Sequence, residues 1–264
     1  MDFKLAMGIL LTLLPAVKIY AQKALAEKPA FLNPCTLHSP ELSECFSKNF
    51  QSTVSEWRAG VPGLKSIGGL DPLYVKRVGI QHTQSPLEID VDLLNIAFTG
   101  LAGVSVKQSD YDIKKLTDVS TLLVPKFAIV SDYKMKGKIL NFNLNANGKM
   151  QINVDDFLCK IYLHFKLRDS DGFTFTDIDK LRVEIVSIGG LNINMENLFN
   201  GDKSLEDSVN SLFNENWRDF FEFLRPAITS AVETVMRDRL TKLFAYVPAK
   251  YFIADFPTAA SFYA

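Results

Sequence analysis

The period of the hydrophobic pattern changes once along this chain, and that change limits the folds open to it. Between about Tyr74 and Met195 apolar and polar residues alternate, as in Leu87, Ile89, Val91 and Leu93 against Glu88, Asp90 and Asp92. A period of two puts one set on a buried sheet face and the other in water. Asn147-Gly148 separates Leu140, Phe142, Leu144 from Met150, Ile152, Val154, which predicts a tight hairpin there. Asp171-Gly172 repeats the device between Leu163, Phe165, Leu167 and the strand starting at Phe173. From Ser204 to Phe244 the period becomes helical: Leu205, Val209, Leu212, Phe213, Trp217, Phe220, Phe221, Leu224 and Ile228 begin a wide apolar stripe that runs on to Leu243. Ser204 and Asp207 resemble a capping box at its start, and Pro226 is expected to kink it. A sheet with one apolar face needs an apolar partner, and this helix supplies one. The expected class is therefore α+β, with long antiparallel strands and a long C-terminal helix.

The ends of the chain suggest export. Lys4 precedes an apolar run from Leu5 to Val17, which Lys18 ends short of a membrane span. A secretory leader over residues 1–21, cleaved between Ala21 and Gln22, is the expectation. The remainder, residues 22–264, fits one extended domain or two smaller ones, and no low-complexity tract or linker divides it. With 29 basic and 30 acidic residues interspersed, there is no charged surface for nucleic acid and no strong field for anionic membranes. No second long apolar stretch follows the leader, so stable membrane insertion is not expected.

Leu42, Phe46, Phe50, Val54 and Trp57 recur at helical spacing after Pro40, stopped by Gly60-Val61-Pro62-Gly63. Cys35 and Cys45 flank the start of this helix; in an oxidising compartment they form the natural bridge, two buried thiols being the alternative. Cys159 shares the strand face of Phe157, Ile161, Leu163 and Phe165, where a buried thiol packs as a small hydrophobe.

Catalytic signatures are missing. His38, His82 and His164 lie far apart, without the spacing of a zinc site, and there is no G-x-S-x-G elbow, P-loop or dinucleotide fingerprint. Asp155-Asp156 and the group Asp169, Asp171, Asp177, Asp179 lack the ordered spacing of a calcium loop and read as solvated turn residues. The sequence thus calls for no catalytic residue, no metal and no cofactor.

The segment Leu198-Phe199-Asn200-Gly201-Asp202-Lys203-Ser204-Leu205, continued by Asn210, Leu212-Phe213-Asn214-Glu215-Asn216-Trp217 and Pro226, resembles the C-terminal signature of the insect takeout and juvenile-hormone-binding family. Cys35 and Cys45, Arg58-Ala59-Gly60-Val61-Pro62, Leu70-Asp71-Pro72-Leu73, Gly100-Leu101, Val106, Pro125, Tyr133 and Gly137-Lys138-Ile139-Leu140 follow the family's order. Two departures stand out. Hormone-binding members carry a second disulfide where this chain has only Cys159, which favours the takeout branch. The family's paired glycines near the first hairpin appear as Ala146 and Gly148.

The resemblance implies a single domain over 22–264, with a long C-terminal helix wrapped by a strongly curved antiparallel sheet, a tubular roll of the lipid-binding kind. It implies a non-enzymatic secreted carrier whose partner is a small hydrophobic ligand, a terpenoid hormone, fatty acid or similar lipid. The alternative is an extracellular signalling or structural protein with an unknown protein partner and a vestigial cavity. Combining strand parity with the helix stripe, the expected lining is Phe142, Leu144, Phe157, Ile161, Leu163 and Phe165 with Trp217, Phe221 and Leu224, and Lys166 is expected to point outward.

Overall fold

The computed structural model describes residues 24–84, 87–139 and 142–264, together with the side chains in them apart from those of Gln84, Leu87, Ile139, Phe142 and Leu144. The expected leader and its cleavage point lie outside the described residues. Helix α1 spans Leu42–Glu56, and seven strands follow: β1 Leu73–Gln84, β2 Leu87–Thr99, β3 Ser105–Asp112, β4 Thr117–Ile139, β5 Phe142–Ser170, β6 Phe173–Ser187 and β7 Gly190–Met195. Helices α2 (Lys203–Glu215) and α3 (Trp217–Phe244) come last, before a short tail. This is the expected α+β fold, an antiparallel sheet that does not close, curved about a long C-terminal helix.

All strand pairings are antiparallel in the order β1-β2-β4-β5-β6, with β3 also on β4 and β7 also on β5. The central strands run 23 and 29 residues. Strands of that length must bend to keep one face on a core. The bend shows in the burial parity. On β4, Leu122 and Val124 are buried, then Pro125 and Lys126 are both exposed, and Tyr133 and Met135 are buried. On β5, Met150 and Val154 are buried, then Asp156 at φ +48° is exposed, and Cys159, Ile161, Leu163 and Phe165 are buried. Pro125 and Asp156 drop out of a ladder that otherwise keeps one register. One unpaired residue on each strand at the same level reverses the burial parity of both without shifting their register, which carries the apolar set across the crease.

The neighbouring strands change at the same level. β2 pairs with Ala128–Ile139 of β4 and β3 takes over at Thr117–Leu123; β7 pairs with Met150–Asp155 of β5 and β6 takes over at Leu158–Ser170. Glycine is required at these corners. A Cβ on Gly100, at φ +95°, would lie 2.6 Å from the Lys126 carbonyl oxygen, and one on Gly189 would lie 2.8 Å from Asp156 Cβ. Asp155 and Asp156, read from the sequence as turn residues, therefore sit within a strand at its crease.

Three local expectations are corrected. Asn147-Gly148 is not a hairpin: both residues pair with β4 in mid-strand, and the reversal lies between Ile139 and Phe142. Gly148 serves close packing instead, since a Cβ there would stand 2.1 Å from the Glu196 carbonyl oxygen, while Asn197 Nδ2 donates to Asn147 O at 2.8 Å. The long helix is interrupted earlier than Pro226, at Asn216, whose backbone leaves the helical region at φ −116°, ψ 25°, and helical structure continues through Pro226. The cap of α2 is Asp202, which accepts from Leu205 N at 3.1 Å, and not Ser204. Asp171-Gly172 does form the β5–β6 turn, with both residues at positive φ.

Candidate functional site: the inner wall and the helix facing it

The crease divides the inner wall into two apolar halves. In one, Ile89, Val91, Leu93, Tyr133, Met135 and Met150 are buried, with Phe220 and Leu224 of α3 packed on them partly exposed. In the other, Val124, Cys159, Ile161, Leu163, Phe165 and Val183 are buried, and Val232, Met236, Leu240 and Phe244 of α3 pack on them partly exposed. Phe221 is the one buried residue along α3.

The expected lining residues are thus separated. Phe157, Ile161, Leu163 and Phe165 share the second half; Leu224 lies in the first. Phe221 is 5% exposed, with the Arg225 guanidinium 4.7 Å from its ring centre, and partly exposed Trp217 carries Arg218 at 4.5 Å. Neither belongs to either cluster. Phe142 and Leu144 pair in the backbone with Ile139 and Gly137, and their side chains lie outside the described ones. Lys166 is exposed on the opposite face, 2.5 Å from Asp179. The helix residues that meet Phe157–Phe165 begin about two turns beyond Leu224 and about four beyond Trp217. Strand parity locates a face, but no sequence period states how far along a sheet a helix lies.

Polar side chains of the helices cover the strand edges. Asn210 of α2 accepts from Met195 N and donates to Met195 O, both at 3.0 Å, and Asn214 does the same for Ile193 at 2.8 and 2.9 Å. On α3, Glu233 accepts from Val183 N, while Arg225 and Arg237 donate to Ile185 O and Leu181 O along β6. Arg239 donates to Tyr74 O on β1, so α3 bridges the two outer strands of the open sheet. On α1, Gln51 pairs with Val106 N and Val104 O, and Ser47 accepts from Ser109 N. Unpaired edges invite association with other chains. Here the edge groups named are already satisfied.

One polar group on the inner wall escaped the sequence reading. From Leu116, just before β4, the buried even positions run on through Asp118, Ser120, Leu122 and Val124 of the strand. Asp118 is 3% exposed and lies 2.8 Å from Ser109 Oγ and 2.7 Å from Ser120 Oγ, and the two hydroxyls are 2.7 Å apart. Three such contacts need three protons, and the serines supply two. Burial pushes the Asp118 carboxyl up to about 6, against the two serine hydrogen bonds, so below that pH it supplies the third. A carboxylate on an apolar strand face was the available signal. The Cys159 thiol is pushed up to about 12 by burial alone, which keeps it in the thiol form. Among the described residues no His, Cys, Asp and Glu group is arranged to hold a metal ion.

Cys35 and Cys45 are joined, and backbone bonds of 2.8 Å from Cys35 N to Phe252 O and from Ala254 N to Cys35 O tie the bridge to the C-terminal tail. Among the described residues no helix is long and apolar enough to cross a membrane.

Residues 10–254 match the sequence profile of the family described as haemolymph juvenile hormone binding protein. The chain belongs to that family. Similar relatives are the circadian clock-controlled protein daywake of Drosophila melanogaster, 24% identical over 229 residues, and of Drosophila yakuba, 23% identical over 229 residues; each alignment covers 83% of this chain and 86% of the relative. The crystal structure of Epiphyas postvittana Takeout 1 superposes with a TM-score of 0.71 at 20% identity, covering 83% of this chain and 98% of that one, which shows a shared fold. The segments that carried the family resemblance have structural roles here. Asn210 and Asn214 close the β7 edge, and the Asp71 carboxylate accepts from Gly100 N and Ala102 N at the crease.

Proposed function

We propose that this member of the juvenile hormone binding family is a secreted carrier, released by cleavage after Ala21, that holds a small apolar molecule between α3 and the inner wall. The observation supporting this is the contrast in burial across the second half. The wall residues Ile161, Leu163 and Phe165 are 2–7% exposed, whereas Val232, Met236, Leu240 and Phe244 opposite them remain partly open. A dry, filled core would cover both sides. An apolar ligand burying about 400 Å² there gains roughly 10 kcal/mol before association costs, so useful affinity needs no charged anchor.

Thermal shift with a panel of terpenoids and long-chain lipids tests the reading, because a ligand that binds only the native state raises Tm with its concentration. Leu163→Asp is expected to abolish the shift, since an apolar ligand cannot pair with a buried carboxylate. Lys166→Ala, on the wet face, is the control; an acid there would also repel Asp179. If no compound shifts the wild-type chain and solvent extracts of natively secreted protein hold no apolar molecule, the carrier reading fails and an extracellular interaction role replaces it.

A further inference from the structure

We propose that the outer face of the sheet carries a self-complementary patch through which two copies of this chain associate back to back, about a two-fold axis lying across the strands. The association is independent of any ligand and of the carrier reading.

Parity and register place the patch. On β4, Lys126, Ala128, Val130 and Asp132 alternate with the inner-wall positions, and Asp155, Asn153, Gln151 and Lys149 of β5 stand opposite them in that order. The two middle rows carry no charge on any strand. Val130 and Gln151 continue sideways to Ala97 and Tyr74 on one side and to Asn194 on the other; Ala128 and Asn153 continue to Thr99 and to Asn192. Tyr74 is 66% exposed and Val130 48%, so apolar surface on this face gains by being covered. The two end rows frame the block with charge. Lys126 pairs with Asp155 at the crease end and Lys149 with Asp132 at the far end, each at 3.4 Å. The sign therefore alternates around the four corners.

That alternation selects a second copy as the occupant. Turning a copy about an axis midway between the Ala128 and Val130 rows sets each row on the one equally far across the axis. Lys126 then meets the copy's Asp132, and Asp155 meets the copy's Lys149. Val130 lies on Ala128, and Gln151 on Asn153. An axis along the strands also matches the charges but sets Val130 on Gln151, so the axis across them is the better fit. Of the charges at the margin, Glu196 falls on the copy's Gly190, and Lys76 and Arg77 fall beyond the start of β1. With 29 basic and 30 acidic residues, no net charge holds two copies apart. The sheets pack aligned, with strands of the two copies antiparallel. Five strands about 4.8 Å apart and four positions about 6.6 Å apart give a face of roughly 20 by 20 Å, about half of what each partner gives a standard interface. The dimer is accordingly weak, with a dissociation constant on the order of 10–100 μM.

Sedimentation velocity of the mature secreted chain between about 1 and 200 μM reads the association, which should weaken as salt screens the corner pairs. Val130→Lys should stay monomeric throughout while melting within a few degrees of wild type, because the valine stands half exposed. Two double charge reversals then separate contacts between copies from contacts within one. Asp132→Lys with Lys149→Asp keeps the ion pair inside the chain but opposes like charges at all four corners, and should weaken association at least tenfold. Lys126→Asp with Asp132→Lys puts like charges side by side within the chain but keeps opposite charges between copies, and should associate within about threefold of wild type. Should that second reversal fail to fold, Val130→Lys and the first reversal decide. A wild-type chain still monomeric at about 200 μM overturns the proposal and leaves the face to a different protein. Association of Val130→Lys as tight as wild type, or double reversals that behave alike or in the opposite order, overturns it as well.

Discussion

Asp118 shows how one residue can set the pH response of a fold. Its carboxyl binds a proton more tightly in the folded chain, at about 6, than the ordinary 3.8, so folding takes up a proton between those values. The stability this contributes is fully present below pH 3.8 and is lost as pH rises through about 6. The difference between the two limits is roughly 3 kcal/mol. Asparagine offers one acceptor and a donor in the places of the protonated acid. Asp118→Asn should therefore raise stability at pH 8 by about 2 kcal/mol and flatten the dependence between pH 4 and 6.5, as read from urea unfolding across that range. A variant less stable than wild type at pH 8 would count against the closed ring of three hydroxyl contacts. Cys159 makes a simpler case. Buried at 3% exposure with its thiol pushed up to about 12, it should label at the rate of global unfolding, and rapid modification of the native chain would contradict this.

Edges and corners decide how the elements fit together. Asn210 is 8% exposed and satisfies both peptide groups of Met195, so Asn210→Ala should cost about 1–3 kcal/mol in denaturant unfolding and speed amide exchange at Met195. A cost below about 0.5 kcal/mol would mean that water replaces the asparagine without loss. Gly148→Ala forces a Cβ against the Glu196 carbonyl and should destabilise by about 2–4 kcal/mol, whereas Gly103→Ala meets nothing within 4 Å and should be near neutral. Gly148 also explains the misread hairpin. Asn-Gly is a turn signal because both residues tolerate positive φ, but glycine serves equally where another backbone comes close, and sequence alone does not distinguish the two needs. At Asp171-Gly172 the same signal stands in a real turn. The helix break at Asn216 was likewise illegible, because it separates a segment laid along β7 from one laid along β6, and those edges are defined only by the assembled sheet.

For the molecule as a whole, the prediction that matters is a ligand-dependent rise in Tm. Because Met236 and Leu240 are partly open, Met236→Gln or Leu240→Asn should weaken apolar ligands several-fold while leaving the ligand-free Tm within a few degrees, measured by titration and by melting. Equal affinity in both variants would place the ligand away from this half. Read by itself, the chain determined the class of fold, since period two followed by period 3.6 leaves few ways to bury one sheet face. It also favoured the Cys35–Cys45 bridge, the burial of Cys159 and the inward side of Ile161, Leu163 and Phe165, all local in sequence or repeated along one strand. Tertiary structure decided the rest. The parity reversal at Pro125 and Asp156, the exchange of partner strands at the same level, and the meeting of Phe157–Phe165 with Val232–Phe244 depend on contacts between residues far apart in the chain. Parity and helical period say which way a side chain points; only the folded sheet, bent at its crease, says what stands opposite.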